Sequence, residues 1–315
     1  MSLFKKPSDL NVPTTIKALI YGQPGIGKST LALSSPDPVL FDFDGGVQRV
    51  NGAFQCPTLQ VSSWEDVVAG VDEIKKGEVP CSTIVIDTAG KMLDYMSDYI
   101  MRKEPKMRMR DGSLSLKGYG ARKIMFINFL FDVSLMGKHL VFVAHEKEEK
   151  DGETRIVRPE IGGSSAGDLI KELDLVGYMQ AIGSERTVSW SPTEKFYAKN
   201  ACNLPPIHKV TEIIDLQGKV TGENNFMSII FQNYTSYLAS LRHTRQMYDK
   251  LLASLQKGIE AVSDENSANE CYQKIESFDK HIWDSKAQAE KNLQLKCQSI
   301  GLTYNESNKK YESAA

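Results

Sequence analysis

Eight consecutive residues, Gly22-Gln23-Pro24-Gly25-Ile26-Gly27-Lys28-Ser29, satisfy the spacing G-x-x-x-x-G-K-[ST]. Glycines at these positions let the main chain turn tightly and aim its N–H groups at phosphate oxygens. Lys28 is placed to reach the outer phosphates and Ser29 to ligate Mg²⁺. Thr30 follows at the start of a helix whose N-terminus adds partial positive charge. The motif predicts a bound nucleoside triphosphate, with Gly22, Gln23, Pro24, Gly25, Ile26, Gly27, Lys28, Ser29 and Thr30 as its cradle.

Three further groups of residues suit the same chemistry. Ile84-Val85-Ile86-Asp87 is an apolar run ending in a carboxylate, about sixty residues after the glycine-rich loop. Asp87 is expected to support Mg²⁺; the alternative is a capping role before Thr88. Asp42 and Asp44 end the run Pro38-Val39-Leu40-Phe41-Asp42-Phe43-Asp44 and, in a parallel sheet, reach the same edge as the nucleotide. Asp44 is the expected base and Asp42 the reserve, unless both cap the Gly45-Gly46 turn. His145 and Glu146 follow a third apolar run at that edge, where a polar group can bond the γ-phosphate; the alternative for His145 is a solvated loop histidine.

The elements that must position these residues alternate. Residues 16–21, 38–44, 82–87 and 139–144 read as strands, with a short one near residues 59–61, and helical stretches lie between them. Ser62 and Ser63, followed by Glu65 and Asp66, look like helix caps. Helices are expected near residues 92–102 and 119–136, separated by a basic loop. The fold class is therefore α/β with a mainly parallel central sheet. Beyond residue 180, Thr187-Val188-Ser189-Trp190 and Lys195-Phe196-Tyr197-Ala198-Lys199 flank Ser191-Pro192-Thr193-Glu194 and predict an antiparallel hairpin. From residue 226, apolar positions at helical spacing (Ile230, Tyr234, Tyr237, Leu241, Tyr248, Leu252, Leu255, Ile259, Val262) predict a C-terminal α-helical hairpin. The expected organisation is an N-terminal extension (1–14), an ATPase core (15–225), the helical hairpin (226–302) and a flexible tail (303–315).

Composition sets bounds on partners. The 315 residues carry a formal charge of −2, which excludes a uniformly basic nucleic-acid binder but leaves room for local basic loops. Five cysteines (56, 81, 202, 271, 297) lack metal-ligand spacing and read as reduced thiols. Residues 1–7 lack the apolar stretch of a signal peptide, and no run approaches membrane-spanning length. A cytoplasmic location and no membrane partner are expected.

The ordered set of residues 22–29, Phe41-Asp42-Phe43-Asp44-Gly45-Gly46, residues 84–87, Tyr119-Gly120, Val143-Ala144-His145-Glu146 and Phe196-Tyr197-Ala198-Lys199-Asn200 resembles the RecA superfamily of P-loop NTPases. Within it the set is similar to the phage single-strand-annealing ATPases of the Sak-four group, over residues 15–215. The resemblance implies a RecA-like core that binds ATP and Mg²⁺ at a subunit interface of a homo-oligomer, a filament or a ring. It supports Asp44 as the catalytic carboxylate, although RecA-type recombinases carry Glu there. It implies that Lys199 completes a neighbouring subunit's site, with Ala201 where RecA has a second Lys; the alternative is a solvated hairpin lysine. Ala144-His145-Glu146 departs from the Gln or Asn of RecA but resembles the phage group.

By the same analogy two loops would meet single-stranded DNA. One carries Arg102, Lys103, Lys106, Arg108, Arg110 and Lys117, cations interleaved with methionines. The other, residues 147–165, carries Lys150, Arg155 and Arg158 among acids, and its Gly-rich character suggests a segment ordered only on binding. The function implied is ATP-dependent single-strand annealing or strand exchange of phage type, in the host cytoplasm if the gene is a phage's. A single-strand-binding protein is a candidate further partner. The alternative is a P-loop NTPase acting as a protein-conformational switch or assembly factor without direct DNA binding.

Overall fold

The computed structural model describes residues 3–4, 10, 14–151, 154–162, 165–183 and 185–313. Most of the N-terminal extension, with Glu153 and Gly163 of the second loop, lies outside them. The chain divides into two compact units, Pro13–Thr235 and Ser236–Ala315 with Met1–Val12.

The first unit is built on β1 (Lys17–Gly22), α1 (Lys28–Ala32), β2 (Pro38–Asp42), β3 (Thr58–Gln60), α2 (Trp64–Lys76), β4 (Thr83–Asp87), α3 (Ala89–Lys103), α4 (Leu116–Leu135), β5 (His139–Asp151), β6 (Thr154–Pro159), α5 (Ser165–Glu172), β7 (Leu175–Ile182), β8 (Glu185–Ser189), β9 (Lys199–Asn200) and β10 (Ile207–Val210). Among the described residues ten strands form one sheet, ordered β10-β8-β7-β1-β5-β4-β2-β3, with β6 beside β5 and β9 beside β7. The pairs from β7 through β1, β5, β4 and β2 to β3 are all parallel, so the expected mainly parallel α/β sheet is what forms.

The unbroken apolar runs are strands covered on both faces. Ile84, Ile86, Leu140 and Phe142 enter a core with α2, α3 and α4, whereas Val85, Val141 and Val143 enter one with α1. Ser63 caps α2 through a reciprocal box with Asp66.

Several expectations need correction. The predicted hairpin of residues 187–199 does not form. β8 pairs antiparallel with β7 and β10, while β9 pairs with β7. Gly183, at φ 62, supplies the positive φ that a tight β7–β8 turn requires. Over its described residues 147–151 and 154–159 the second basic segment is strand rather than loop: its Lys/Glu/Val/Arg alternation lets β5 run on and pair with β6 from Glu146↔Pro159 to Asp151↔Thr154. In the first basic segment α3 extends to Lys103, a 3₁₀ turn spans Pro105–Met107, and an Arg108↔Leu114 bridge closes a compact turn.

The C-terminal prediction of a helical hairpin is also too simple. Three helices form, α6 (Phe226–Glu260), α7 (Glu265–Ser277) and α8 (Ser285–Ser299). The boundary between units falls within α6: Met227, Ile230 and Phe231 belong to the core of the first unit, and Ile259 to that of the second. The tail expected to be flexible forms a β-hairpin, β11 (Leu302–Asn305) with β12 (Lys310–Ser313). Burial of Leu302 and Tyr311, and two bonds between Asn269 and the Tyr311 main chain, anchor it.

Candidate nucleotide site

The loop after β1 has the geometry its glycines permit. Gly25 and Gly27 sit at φ 77 and 103, and a Cβ at Gly22 would lie 2.2 Å from the Met179 main-chain oxygen on β7. Gly27 is the N-cap of α1, so the N–H groups of the first turn face the loop. Ile26 is buried in the α1-side core. Lys28 is buried, and its Nζ donates to the carbonyls of Gly22 (2.9 Å) and Gln23 (2.6 Å). Burial pushes its pKa down, opposed by the Asp87 and Glu146 carboxylates.

Ser29 Oγ donates to Asp87 Oδ2 at 2.5 Å. Thr88, not Asp87, caps α3, so the Asp87 carboxylate is not consumed by capping. Its pKa is raised, first by burial and then by the charges of Asp44 and Asp42, against the Ser29 bond and Lys28. Among the described residues no three His, Cys, Asp or Glu side chains are arranged to hold a metal unaided. The Ser29 and Asp87 oxygens fit instead a hard cation that completes its shell with phosphate and water.

Asp42 and Asp44 part company here. Asp42 is buried and accepts from the N–H groups of Asp44 (3.2 Å), Gly46 (3.0 Å) and Val47 (3.1 Å), so it shapes the turn. Asp44 is exposed at the same edge. β5 occupies the position between β1 and β4, with His145 in register with Gly22. The strand leaves the central sheet there and enters its pairing with β6 at Glu146. Both His145 Nδ1 and Glu146 Oε2 are buried without a hydrogen-bond partner among the described residues.

Lys199 lies on β9 opposite Val176, and its Nζ donates to the Ile170 (3.2 Å) and Lys171 (3.0 Å) carbonyls in the last turn of α5. It is thus a helix C-terminal cation of its own chain, not the solvated hairpin lysine of the alternative reading. Of the cations assigned to DNA, Arg102 pairs with Glu65 at 2.8 Å, Arg155 with Glu148, and Arg158 with Glu149 at 3.0 Å. Lys103 lies over the Tyr99 ring. Lys106, Arg108, Arg110, Lys117 and Lys150 are exposed.

Two features escaped the sequence reading. Tyr21 and Tyr178 are adjacent partners on β1 and β7 with ring centroids 5.2 Å apart, and the Tyr21 hydroxyl donates to the Tyr197 carbonyl at 2.5 Å. Tyr21 stood one residue before the motif but read only as a strand residue. A cavity of about 490 Å³ also opens beside the loop at Gly25, Gly27 and Thr30, walled by Met179, Val210 and Phe226. Its far wall comes from residues 208–230, which carry no local motif. Asn224 Nδ2 ties that segment to the Thr30 carbonyl at 2.9 Å.

A phosphate-binding loop between a parallel strand and a helix, with a hydroxyl–carboxylate pair at its end, defines a P-loop NTPase. Residues 14–202, well over half of the chain, match a family described as an AAA domain (AAA_24), and the chain belongs to that family. Among solved structures it is similar to the KaiC-like protein of the hyperthermophilic archaeon Pyrococcus horikoshii OT3. That likeness has 10% identity and a TM-score of 0.32, covering 55% of this chain and 77% of that one. Comparison with curated proteins gives no match. Among the described residues no helix is long and apolar enough to cross a membrane.

Proposed function

We propose that the chain binds ATP with Mg²⁺ at residues 22–30 and hydrolyses it to remodel an assembly on single-stranded DNA. The observation that carries the nucleotide reading is the Ser29–Asp87 contact beside the buried Lys28. Bound Mg²⁺ would be held by Ser29, supported by Asp87, and would neutralise charge on the phosphates. Lys28 exchanges its loop carbonyls for phosphate oxygens. Asp44, exposed and not spent on the turn, orients or deprotonates the attacking water. His145 and Glu146 face the terminal phosphate, and the base and ribose extend into the cavity beside Thr30.

The DNA reading rests on Lys106, Arg108, Arg110 and Lys117, exposed cations on one compact turn and the start of α4, and on the resemblance to phage annealing ATPases. A homo-oligomer, with Lys199 reaching a neighbour's phosphates once released from α5, belongs to the same reading. A second reading, a nucleotide-driven switch acting on protein, draws support from the acid partners of Arg102, Arg155 and Arg158.

ATP turnover with and without single-stranded DNA separates the two. Stimulation that disappears in Arg108→Glu/Arg110→Glu, together with weaker binding and a flatter salt dependence, supports the first reading. Turnover indifferent to DNA and unchanged affinity in the variant overturn it in favour of the second.

A further inference from the structure

α4 is apolar on two sides. Its inner face is buried, and Phe126, Phe129, Leu130 and Val133 join the core on the side of the sheet opposite α1. A helix packed on a sheet in this way is ordinarily polar on its outer side. Here the outer side carries Leu116, Ile124, Ile127, Phe131 and Leu135, each 41 to 91% exposed, with Gly120 between the first two. At 3.6 residues per turn these six positions fall in one stripe about 100° wide. The exposed surface of the five large residues is roughly 600 Å², the most that a monomer ordinarily leaves as one apolar patch.

The order of the stripe points to its occupant. From 116 to 135 the steps run four, four, three, four, four, the same from either end. Two copies of α4 laid antiparallel about a twofold axis between residues 125 and 126 therefore meet position for position. Leu116 falls on the other copy's Leu135, Ile124 on its Ile127, and Gly120 on its Phe131. The last pairing gives Gly120 a purpose. A Cβ there would meet no atom within 4 Å among the described residues, so packing within one copy does not call for glycine. Glycine inside a helix nevertheless costs about 1 kcal/mol relative to alanine. Opposite a phenylalanine ring, the missing Cβ is a notch.

The rim agrees in charge and the patch in size. Lys117 and Asp132 stand on one edge of the stripe, where Asp132 meets Lys75 of α2 at 3.7 Å. The twofold sets each copy's Lys117 beside the other copy's Asp132, a pairing that favours the antiparallel register. Lys123 stands exposed at the rim of the opposite edge. On the Asp132 edge, exposed Val68 of α2 continues the apolar surface into a groove over Trp64, Val71 and Met125. Two such patches bury about 1,200–1,400 Å², within the size class of specific interfaces.

We propose that the outer face of α4 is the contact surface of a twofold homodimer, covered by the same face of a second copy. The contact pairs identical surfaces, so it is distinct from the sharing of a nucleotide site proposed for Lys199. It stands independently of the nucleotide reading.

Sedimentation equilibrium of the full chain without nucleotide tests the contact. Wild type should sediment at twice the chain mass at micromolar concentration. Ile124→Glu/Phe131→Glu should raise the dimer dissociation constant at least about 100-fold, because four carboxylates would enter an apolar contact. Its circular dichroism should match wild type, since both side chains are exposed in one copy. Disulfide trapping reads the register. Leu116→Cys mixed with Leu135→Cys should cross-link above the wild-type background, and neither alone should, because like ends of the antiparallel helices lie about 30 Å apart. A monomeric wild type, a mass unmoved by the two glutamates, or trapping in Leu116→Cys alone overturns the proposal. If the glutamate variant unfolds, trapping decides: a cross-link confined to the mixture supports the twofold contact, and its absence overturns it.

Discussion

Replacing Asp42 and Asp44 separately should divide two roles that adjacent acids invite one to merge. Asp42→Ala removes one buried carboxylate that accepts three main-chain N–H bonds, at 3.2, 3.0 and 3.1 Å. At about 1–1.5 kcal/mol net for each, the loss is roughly 3–4 kcal/mol. Relief of the repulsion that Asp42 exerts on buried Asp87 returns part of this, leaving about 2–3 kcal/mol. For a unit the size of Pro13–Thr235 that is a fall in melting temperature of roughly 5–10 °C. Asp44→Ala touches an exposed side chain and should leave stability within about 0.5 kcal/mol, while turnover falls about 100-fold. Thermal unfolding and single-turnover hydrolysis of the two variants provide the assay. An Asp42→Ala protein melting within a degree of wild type would refute the turn-shaping role. Normal turnover in Asp44→Ala would refute the assignment of the base.

Other consequences are more local. His139 accepts from the Ile16 N–H through Nδ1 at 3.0 Å and stacks on Phe231, and burial lowers its pKa as it does that of His208. The unfolded chain therefore takes up protons first as pH falls, so stability is full above about pH 6.5 and declines below it; denaturant titrations at pH 7.5 and 5.5 should show a smaller decline in His139→Asn. Gly22→Ala drives a Cβ against the Met179 carbonyl, a main-chain atom that cannot turn aside, and should cost about 1–3 kcal/mol along with nucleotide affinity; an unaltered melt shows that β1 and β7 separate freely. Mixing Lys199→Ala with Lys28→Ala should restore part of the turnover if Lys199 serves a neighbour, whereas a simple sum of the two backgrounds removes the shared-site model.

The sequence made the strands legible wherever burial on both faces left unbroken apolar runs, and the phosphate loop wherever glycine spacing met a strand and a helix. It placed Ser29 and Asp87 together across 58 residues because a strand ending in a carboxylate is itself a local signal. Strand pairing beyond β7 was not legible. Thr187-Val188-Ser189 carries the same alternation whether it pairs forward or back, and a tight turn at Gly183 decided the matter. Polar alternation hid β6 and β12, where cross-strand charge pairs or a single buried Tyr311 substitute for an apolar face. Sequence ranked Asp44 ahead of Asp42 as the base but left a capping role open for both; the three N–H groups converging on Asp42 assign the turn to it. Lys199 looked available because nothing local announces that the carbonyls of α5 end within its reach.

The central claim is a nucleoside triphosphate gripped by residues 22–30 and split there. Its most direct test is steady-state ATP hydrolysis with Mg²⁺ by wild type and by Lys28→Ala, paired with analogue binding. The buried ammonium is desolvated, so the variant should remain folded, bind at least about 100-fold more weakly and show no turnover above background. A folded Lys28→Ala protein that binds and hydrolyses ATP as the wild type does would contradict the account.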